Sequence, residues 1–177
     1  QVGANSAFFY PNAYRYREWV IDAFNNDVPY NDFIRKQLAA DLLKKSATED
    51  LPALGYIGLG HKYYNRGRLE VKAEEWAEQV DTLTRSLLGL TVACAQCHDH
   101  KYDAFTQKDY YALAGVFAST DLVDRMADGS KIKKDTKAAK KRTGTIHMVR
   151  DKKPQNLHVF LRGNTETKGD VVPRRFL

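Results

Sequence analysis

The residues of this 177-residue chain whose types and spacing promise chemistry lie together at Cys94-Ala95-Gln96-Cys97-His98. Cys94 and Cys97 are its 2 cysteines, so no disulfide framework can be built from them. Two thiols at i and i+3 share one helical face, and a histidine at i+4 from the first stands beside them. That arrangement suits two thioethers to the vinyl groups of one haem, with the His98 imidazole as proximal ligand to the iron. A chance match to the pattern in a chain of this length is on the order of one in a thousand. Two other chemistries use a Cys-x-x-Cys pair. A zinc site needs further ligands, and since His98 and His100 crowd Cys97, His147 or His158 would have to complete the set. A thioredoxin-like dithiol wants its pair at the start of a helix in a βαβ setting, whereas here a helical pattern leads into it.

The sixth position of such an iron is open to His61, Met126, His147, Met148 or His158, because a distal ligand can come from anywhere in a fold. His100 lies too near His98 to reach the opposite haem face and, like Lys101, reads as a contact to the haem periphery. An iron without a sixth protein ligand would favour ligand binding or peroxide chemistry over simple electron transfer.

The elements that must position these residues read mostly as helices. Tyr16, Trp19, Val20, Ala23 and Phe24 recur at helical spacing from Asn12 to Phe24, with Asn12 as the N-cap. A second helix starts at Asn31, carries Ile34, Leu38 and Leu42 on one stripe, and ends near Lys44-Lys45, so that the two helices form a hairpin. The stretch Pro52 to Gly60 holds three glycines and reads as a loop lying against the core. From Ala73 onward Trp76, Val80, Leu83, Leu87 and Leu90 alternate steps of four and three, and Cys94 and Cys97 continue the stripe. A helix that persisted so far would turn both sulfurs toward the core. Thr106-Gln107-Lys108-Asp109 has the capping-box pattern and opens a helix with Tyr110, Leu113, Ala114 and Phe117 inward. Leu157 to Leu161 reads as a strand and Arg162-Gly163-Asn164 as a turn. The expected fold is mostly α, a cytochrome-c-like helical domain with long loops and a short β segment at the C-terminus. Residues 1–125 form the helical haem-binding domain, residues 126–156 a basic linker or insertion, and residues 157–177 the start of a following domain or a C-terminal extension.

Composition narrows the function further. The 20 aromatic residues (10 Tyr, 8 Phe and 2 Trp) can bury enough surface to exclude a disordered chain. The longest apolar runs fall far short of the roughly 20 residues that cross a bilayer. The net charge is +6, and all of it arises between Lys131 and Arg142. That run carries no aromatic residue, unlike a nucleic-acid-binding face, and reads as a solvated segment or a docking patch for an acidic partner. No signal peptide is visible at the start, and the ending at Pro173-Arg174-Arg175-Phe176-Leu177 looks like a cut rather than a natural terminus.

The stretch from Leu88 through Cys94-Ala95-Gln96-Cys97-His98-Asp99-His100-Lys101-Tyr102-Asp103, followed by Asp109-Tyr110-Tyr111, resembles the planctomycete-type cytochrome-associated family. So do Pro11-Asn12-Ala13-Tyr14-Arg15-Tyr16-Arg17 with Trp19-Val20-Ile21, Pro29-Tyr30 with Phe33-Ile34-Arg35, and Phe160-Leu161-Arg162-Gly163-Asn164 near the end. The resemblance implies a fragment of a larger exported protein, periplasmic or otherwise extracytoplasmic at the cell surface, with a haem-c-like domain. It places the covalent haem on Cys94, Cys97 and His98 and raises Met148 above His61 and the other candidates as distal ligand. Ala104 departs from the family's usual Pro, and the Lys131–Arg142 run looks like a variable insertion.

These readings converge on a c-type cytochrome domain with one covalent haem c, transferring single electrons within an extracytoplasmic multidomain protein. Its partners would be redox proteins, acidic ones suiting the basic run, together with the remaining domains of the parent chain, with no nucleic acid and no membrane span. The rival readings are an interaction module of a surface protein stapled by haem or zinc, and a haem enzyme or sensor with an open sixth site.

Overall fold

In a computed structural model the fold is described for residues 10, 12–43, 48–61, 67–132 and 144–177. Its helices and short antiparallel C-terminal strands make it mostly α with a small β component. The chain divides into two compact units. One takes the described residues of 60–121 and 151–177, and the other those of 10–59 and 122–150.

The second of these units contains α1 (Tyr14–Asn25), α2 (Tyr30–Ala39), a 3-10 stretch (Thr48–Leu54) and the single turn α3 (Gly55–Gly58), together with most of strands β1 (Thr120–Met126) and β2 (Thr145–Asp151). Its small core gathers Trp19, Ala23 and Ala53, with Tyr16, Val20, Val28 and Phe33 packed around them. Trp19 stacks on Phe33 with centroids 5.4 Å apart, and its indole N–H donates to Asp50 Oδ1 at 3.1 Å. A buried indole finds a partner in this way because an orphaned N–H would forfeit its hydration.

Four sequence expectations change here. The cap of α1 is Ala13, because the Asn12 amide is used elsewhere: its Nδ2 donates to Thr145 Oγ1 at 2.8 Å in a buried bond. Helix α2 begins after Pro29 and is rotated from the expected stripe, with Gln37 buried and Leu38 and Leu42 exposed. The Trp19–Phe33 stack and the Tyr16 hydroxyl, which donates to Gln37 Oε1 at 2.6 Å, fix that rotation. The helix ends at Ala39, short of the expected end near Lys44-Lys45, which themselves lie outside the described residues. The glycine-rich stretch is helical rather than a loop, since its glycines serve close approach: a Cβ on Gly58 would stand 2.6 Å from the Met148 backbone. Strands β1 and β2 were not foreseen. Thr145, Ile146, His147, Met148 and Val149 are all buried, so β2 is covered on both faces and lacks the alternation that marks a half-exposed strand.

The other unit holds α4 (Leu69–Leu83), α5 (Gln107–Ala118) and a hairpin of β3 (Leu157–Phe160) with β4 (Lys168–Val172), antiparallel with Leu157 opposite Val172. Helix α5 is the centre of this unit and packs on α4, β3 and β4. The expected inward residues Tyr110, Leu113, Ala114 and Phe117 are all buried. The expected capping box forms: Thr106 Oγ1 accepts from the Asp109 amide at 3.2 Å, and Asp109 Oδ2 accepts from the Thr106 amide at 2.9 Å. Among the described residues no helix is long and apolar enough to cross a membrane.

Candidate functional site

Helix α4 does not carry its stripe to the cysteines. It passes into one π-type turn (Thr84–Leu88), where the buried Thr84 hydroxyl donates to the Val80 carbonyl at 2.9 Å and competes for the helix's own acceptors. Gly89 then adopts a left-handed φ of 66°, and the Leu90 amide closes the turn onto the Thr84 carbonyl at 3.0 Å. Beyond it a 3-10 turn (Val92–Gln96) sets a new phase of three residues per turn. Val92 and Ala95 stack on its inner face with no exposure. Cys94 and Cys97, also three apart, share a different face, and both are free and exposed. The expectation that both sulfurs face the core is therefore corrected: the α-helical phase is lost at the π-type turn and Gly89, and the inward positions pass to Val92 and Ala95.

His98 follows on the exposed side. Its Nδ1 lies 2.7 Å from the Asp99 carbonyl oxygen. A carbonyl can only accept, so Nδ1 carries the proton and the neutral ring keeps its lone pair on Nε2. A histidine tied in this way through one nitrogen is prepared to ligate a metal through the other. His100 is built into the loop instead. Its Nδ1 accepts from the Asp103 amide at 2.9 Å and the Tyr102 amide at 3.3 Å, and its own amide donates to the Phe105 carbonyl at 2.8 Å. Asp103 Oδ2 also lies 3.2 Å from that ring nitrogen, but two amides aimed at it require a lone pair there, so the amide contacts decide the tautomer.

Two α5 side chains hold the turn from behind. Gln107 Nε2 donates to the Gln96 carbonyl at 3.0 Å and to the Phe160 carbonyl at 3.1 Å. The Tyr111 hydroxyl approaches the same two oxygens at 3.1 and 3.4 Å. The Gln107 amide N–H donates to Asp99 Oδ1 at 2.7 Å, tying the residue after His98 to the start of α5. Burial pushes the Tyr111 phenol up to about 12, and the nearby Cys97 adds to the shift against the Phe160 hydrogen bond. Burial also raises the Tyr110 phenol, with smaller contributions from Tyr111 and Cys97. The tip of the β3–β4 hairpin lies over Cys97. Gly163, at φ 76°, leaves so little room that a Cβ there would be 2.7 Å from Cys97 Sγ. Sequence reasoning passed over Gln107, Tyr111, Phe160 and Gly163 as site residues. The available signal was the i, i+4 spacing of Gln107 and Tyr111 on a helix that starts nine residues after His98.

The other candidates are dispersed. His61, in the same unit as the cysteines, is exposed, and its amide donates to Glu78 Oε1 at 3.3 Å. His158 Nδ1 donates to the Gly169 carbonyl at 2.9 Å. Met126, His147 and Met148 belong to the other unit. There Met148 is buried, and His147 Nδ1 lies 2.8 Å from Asp124 Oδ1. Lys101 stands over the Tyr102 ring at 5.1 Å. Most of the basic run, residues 133–142, lies outside the described residues. Among the described residues no group of three His, Cys, Asp or Glu could hold a metal ion by itself. The donor set of Cys94, Cys97 and His98 is compatible with a haem, which brings four iron ligands of its own and asks the chain for two thiols and one imidazole.

The helices and the small C-terminal hairpin make the chain mostly α, and they carry two free, exposed thiols beside a histidine at the Cys-x-x-Cys-His turn. Residues 2–122 match the model of the PSCyt2 family, described as a protein of unknown function (DUF1549). The match covers more than half of the chain, and the protein belongs to this planctomycete cytochrome-associated family, whose function is unknown. Comparison with curated proteins and with solved structures found no match.

Proposed function

We propose that the Cys94–His98 turn anchors one haem c covalently and that the domain transfers single electrons. Cys94 and Cys97 would supply the thioether sulfurs, and His98 Nε2 the proximal ligand. When bound, the haem supplies a one-electron Fe(III)/Fe(II) couple whose potential depends on axial ligation and burial. The observation that carries the reading is the state of His98: its Nδ1–H is committed to the Asp99 carbonyl, leaving Nε2 available beside two free, exposed thiols. Helix α5 and the β3–β4 hairpin would hold the turn so that the iron ligand does not reorganise between oxidation states. His61, in the same unit as the cysteines, is the proposed distal ligand. The setting is an extracytoplasmic multidomain protein whose partners are redox proteins.

The test is the denatured intact mass of the natively matured chain, read with its reduced absorption spectrum. A mass increased by one haem that survives denaturation is the expected result, and a mass equal to the bare chain overturns the proposal. In the Cys94→Ala and Cys97→Ala variants the haem should become at least partly extractable by acid-acetone.

A further inference from the structure

The carbonyl of Gln96 lies between the two cysteines, and the carbonyl of Phe160 ends the strand that leads to Gly163. Gln107 and Tyr111, one turn apart on α5, reach both oxygens, at 3.0 to 3.4 Å. The donor count fits this use. The Gln107 amide has two hydrogens, one for each carbonyl, and the Tyr111 hydroxyl has a single hydrogen, best placed at the shorter distance to Gln96. Tyr111 has a relative exposure of 2%, so neither oxygen can take water from that side in its place. The two side chains therefore join a turn and a strand end, Gln96 and Phe160, that are 64 residues apart in sequence.

The contact on the sulfurs is uneven. Both sulfurs belong to exposed residues, but Gly163 closes on Cys97 Sγ at a distance no side chain would permit, and among the described glycines none is placed in this way against Cys94. Cys97 also lies close enough to Tyr110 and Tyr111 to add to the shifts of both phenols.

We propose that Gln107 and Tyr111 are positioning residues that clamp the Cys94–His98 turn and the hairpin tip to α5, holding Gly163 over Cys97 Sγ and making the two sulfurs chemically inequivalent. The clamp takes its functional meaning from the haem-anchoring proposal: it would present Cys94 as the more open sulfur and fix Cys97 in register with His98. Its geometry is a property of the thiol form and is tested there.

The experiment is the alkylation of the 177-residue thiol form by iodoacetamide under native conditions, with Cys94 and Cys97 followed separately by peptide mass spectrometry. The expected result in the parent chain is that Cys97 reacts more slowly than Cys94. Tyr111→Phe and Gln107→Met each remove donors without removing volume. Losing one hydrogen bond changes an opening equilibrium by about 2- to 10-fold. The Cys97 rate should rise by about that factor in Tyr111→Phe and by more in Gln107→Met, which loses two hydrogen bonds, with the Cys94 rate unchanged. A merely structural role would raise both rates together through global opening. That outcome, or a Cys97 rate that does not move, overturns the clamp. Should Gln107→Met fail to fold, Tyr111→Phe, which deletes one oxygen, decides alone. The mass of the matured parent chain separates the two proposals, since a bare chain defeats haem attachment and leaves the thiol result standing.

Discussion

Gly163 and Gly89 offer a matched pair for measuring what the hairpin tip does to Cys97. Both have left-handed φ values, 76° and 66°, so an alanine at either meets the same backbone penalty, about 1–2 kcal/mol. They differ in what the new methyl would meet. Among the described residues a Cβ built on Gly89 meets nothing within 4 Å beyond its chain neighbours, whereas at Gly163 the Cβ would stand 2.7 Å from Cys97 Sγ. The sulfur would have to withdraw to the 3.4 Å or more of ordinary van der Waals contact, against a turn whose carbonyl is held from behind. Overpacking of this kind costs about 1–3 kcal/mol, so Gly163→Ala should exceed Gly89→Ala by that amount. The assay is urea unfolding of the 177-residue thiol form in a Trp19→Phe background, so that Trp76, buried in the same unit as Cys97, is the fluorescent reporter. The control is Cys97→Ala. The Cys97 Cβ lies 4.0 Å from the new methyl, an ordinary contact, so removing the sulfur should abolish the excess cost of Gly163→Ala and leave Gly89→Ala unchanged. An excess that persists without the sulfur, or no excess at all, refutes the reasoning.

Thr106→Ala should cost about 1 kcal/mol through loss of the α5 cap, lowering the midpoint of thermal unfolding by about 2–4 °C. The Thr106 hydrogen bonds, and after them Arg175, hold the Asp109 carboxyl below its usual range. A depressed folded-state pKa stabilises above the unfolded value near 4 and is lost as pH falls through the folded value, so the gap between parent and variant should narrow below about pH 4. A gap equal at pH 7 and pH 3 would remove Asp109 from the explanation. Leu113→Ala, at a side chain with 0% exposure on α5, should cost about 2–5 kcal/mol in chemical unfolding, and a loss under about 1 kcal/mol would show that α5 is not the centre of its unit.

The parts of the fold that could be read from the sequence are those in which local chemistry and packing agree. Thr106 and Asp109 announced α5 because a capping box is decided within four residues, and the apolar positions that follow it are buried as spaced. Strand β3 and its turn were legible for the same reason: apolar residues lead into Arg162-Gly163, and both of these adopt positive φ. Legibility failed where distant groups decide the outcome. The orientation of α2 depends on Trp19 and Tyr16 in another helix, and Asn12 leaves its capping position for Thr145, 133 residues away. Gly55 and Gly58 look like loop formers in one dimension, but each lets a neighbour come close: Tyr16 stands 3.0 Å from a Cβ built on Gly55, and the Met148 backbone stands 2.6 Å from one on Gly58. The types of the site residues were visible and their orientation was not, because the π-type turn at Thr84 shifts the phase of every residue after it.

That phase shift resolves a conflict set by the stripe itself. Had α4 continued unbroken, Cys94 and Cys97 would have followed Val80 and Leu83 into the core, where a reagent or cofactor arriving from solvent could reach them only after local unfolding. Had the turn been left loose on the surface, the sulfurs would be accessible but without fixed spacing. The chain meets both needs by dividing the turn's two faces. Val92 and Ala95 are buried and fix its position, and the Gln96 carbonyl is bonded to Gln107 and Tyr111 from the protein side. The thiols and His98 are left outside. Gly89 makes this possible because it takes the left-handed conformation that stops the helix one turn before the cysteines. A helix-stopping glycine within an otherwise regular apolar stripe is a conflict between local pattern and fold, and such conflicts concentrate where a chain serves function rather than packing.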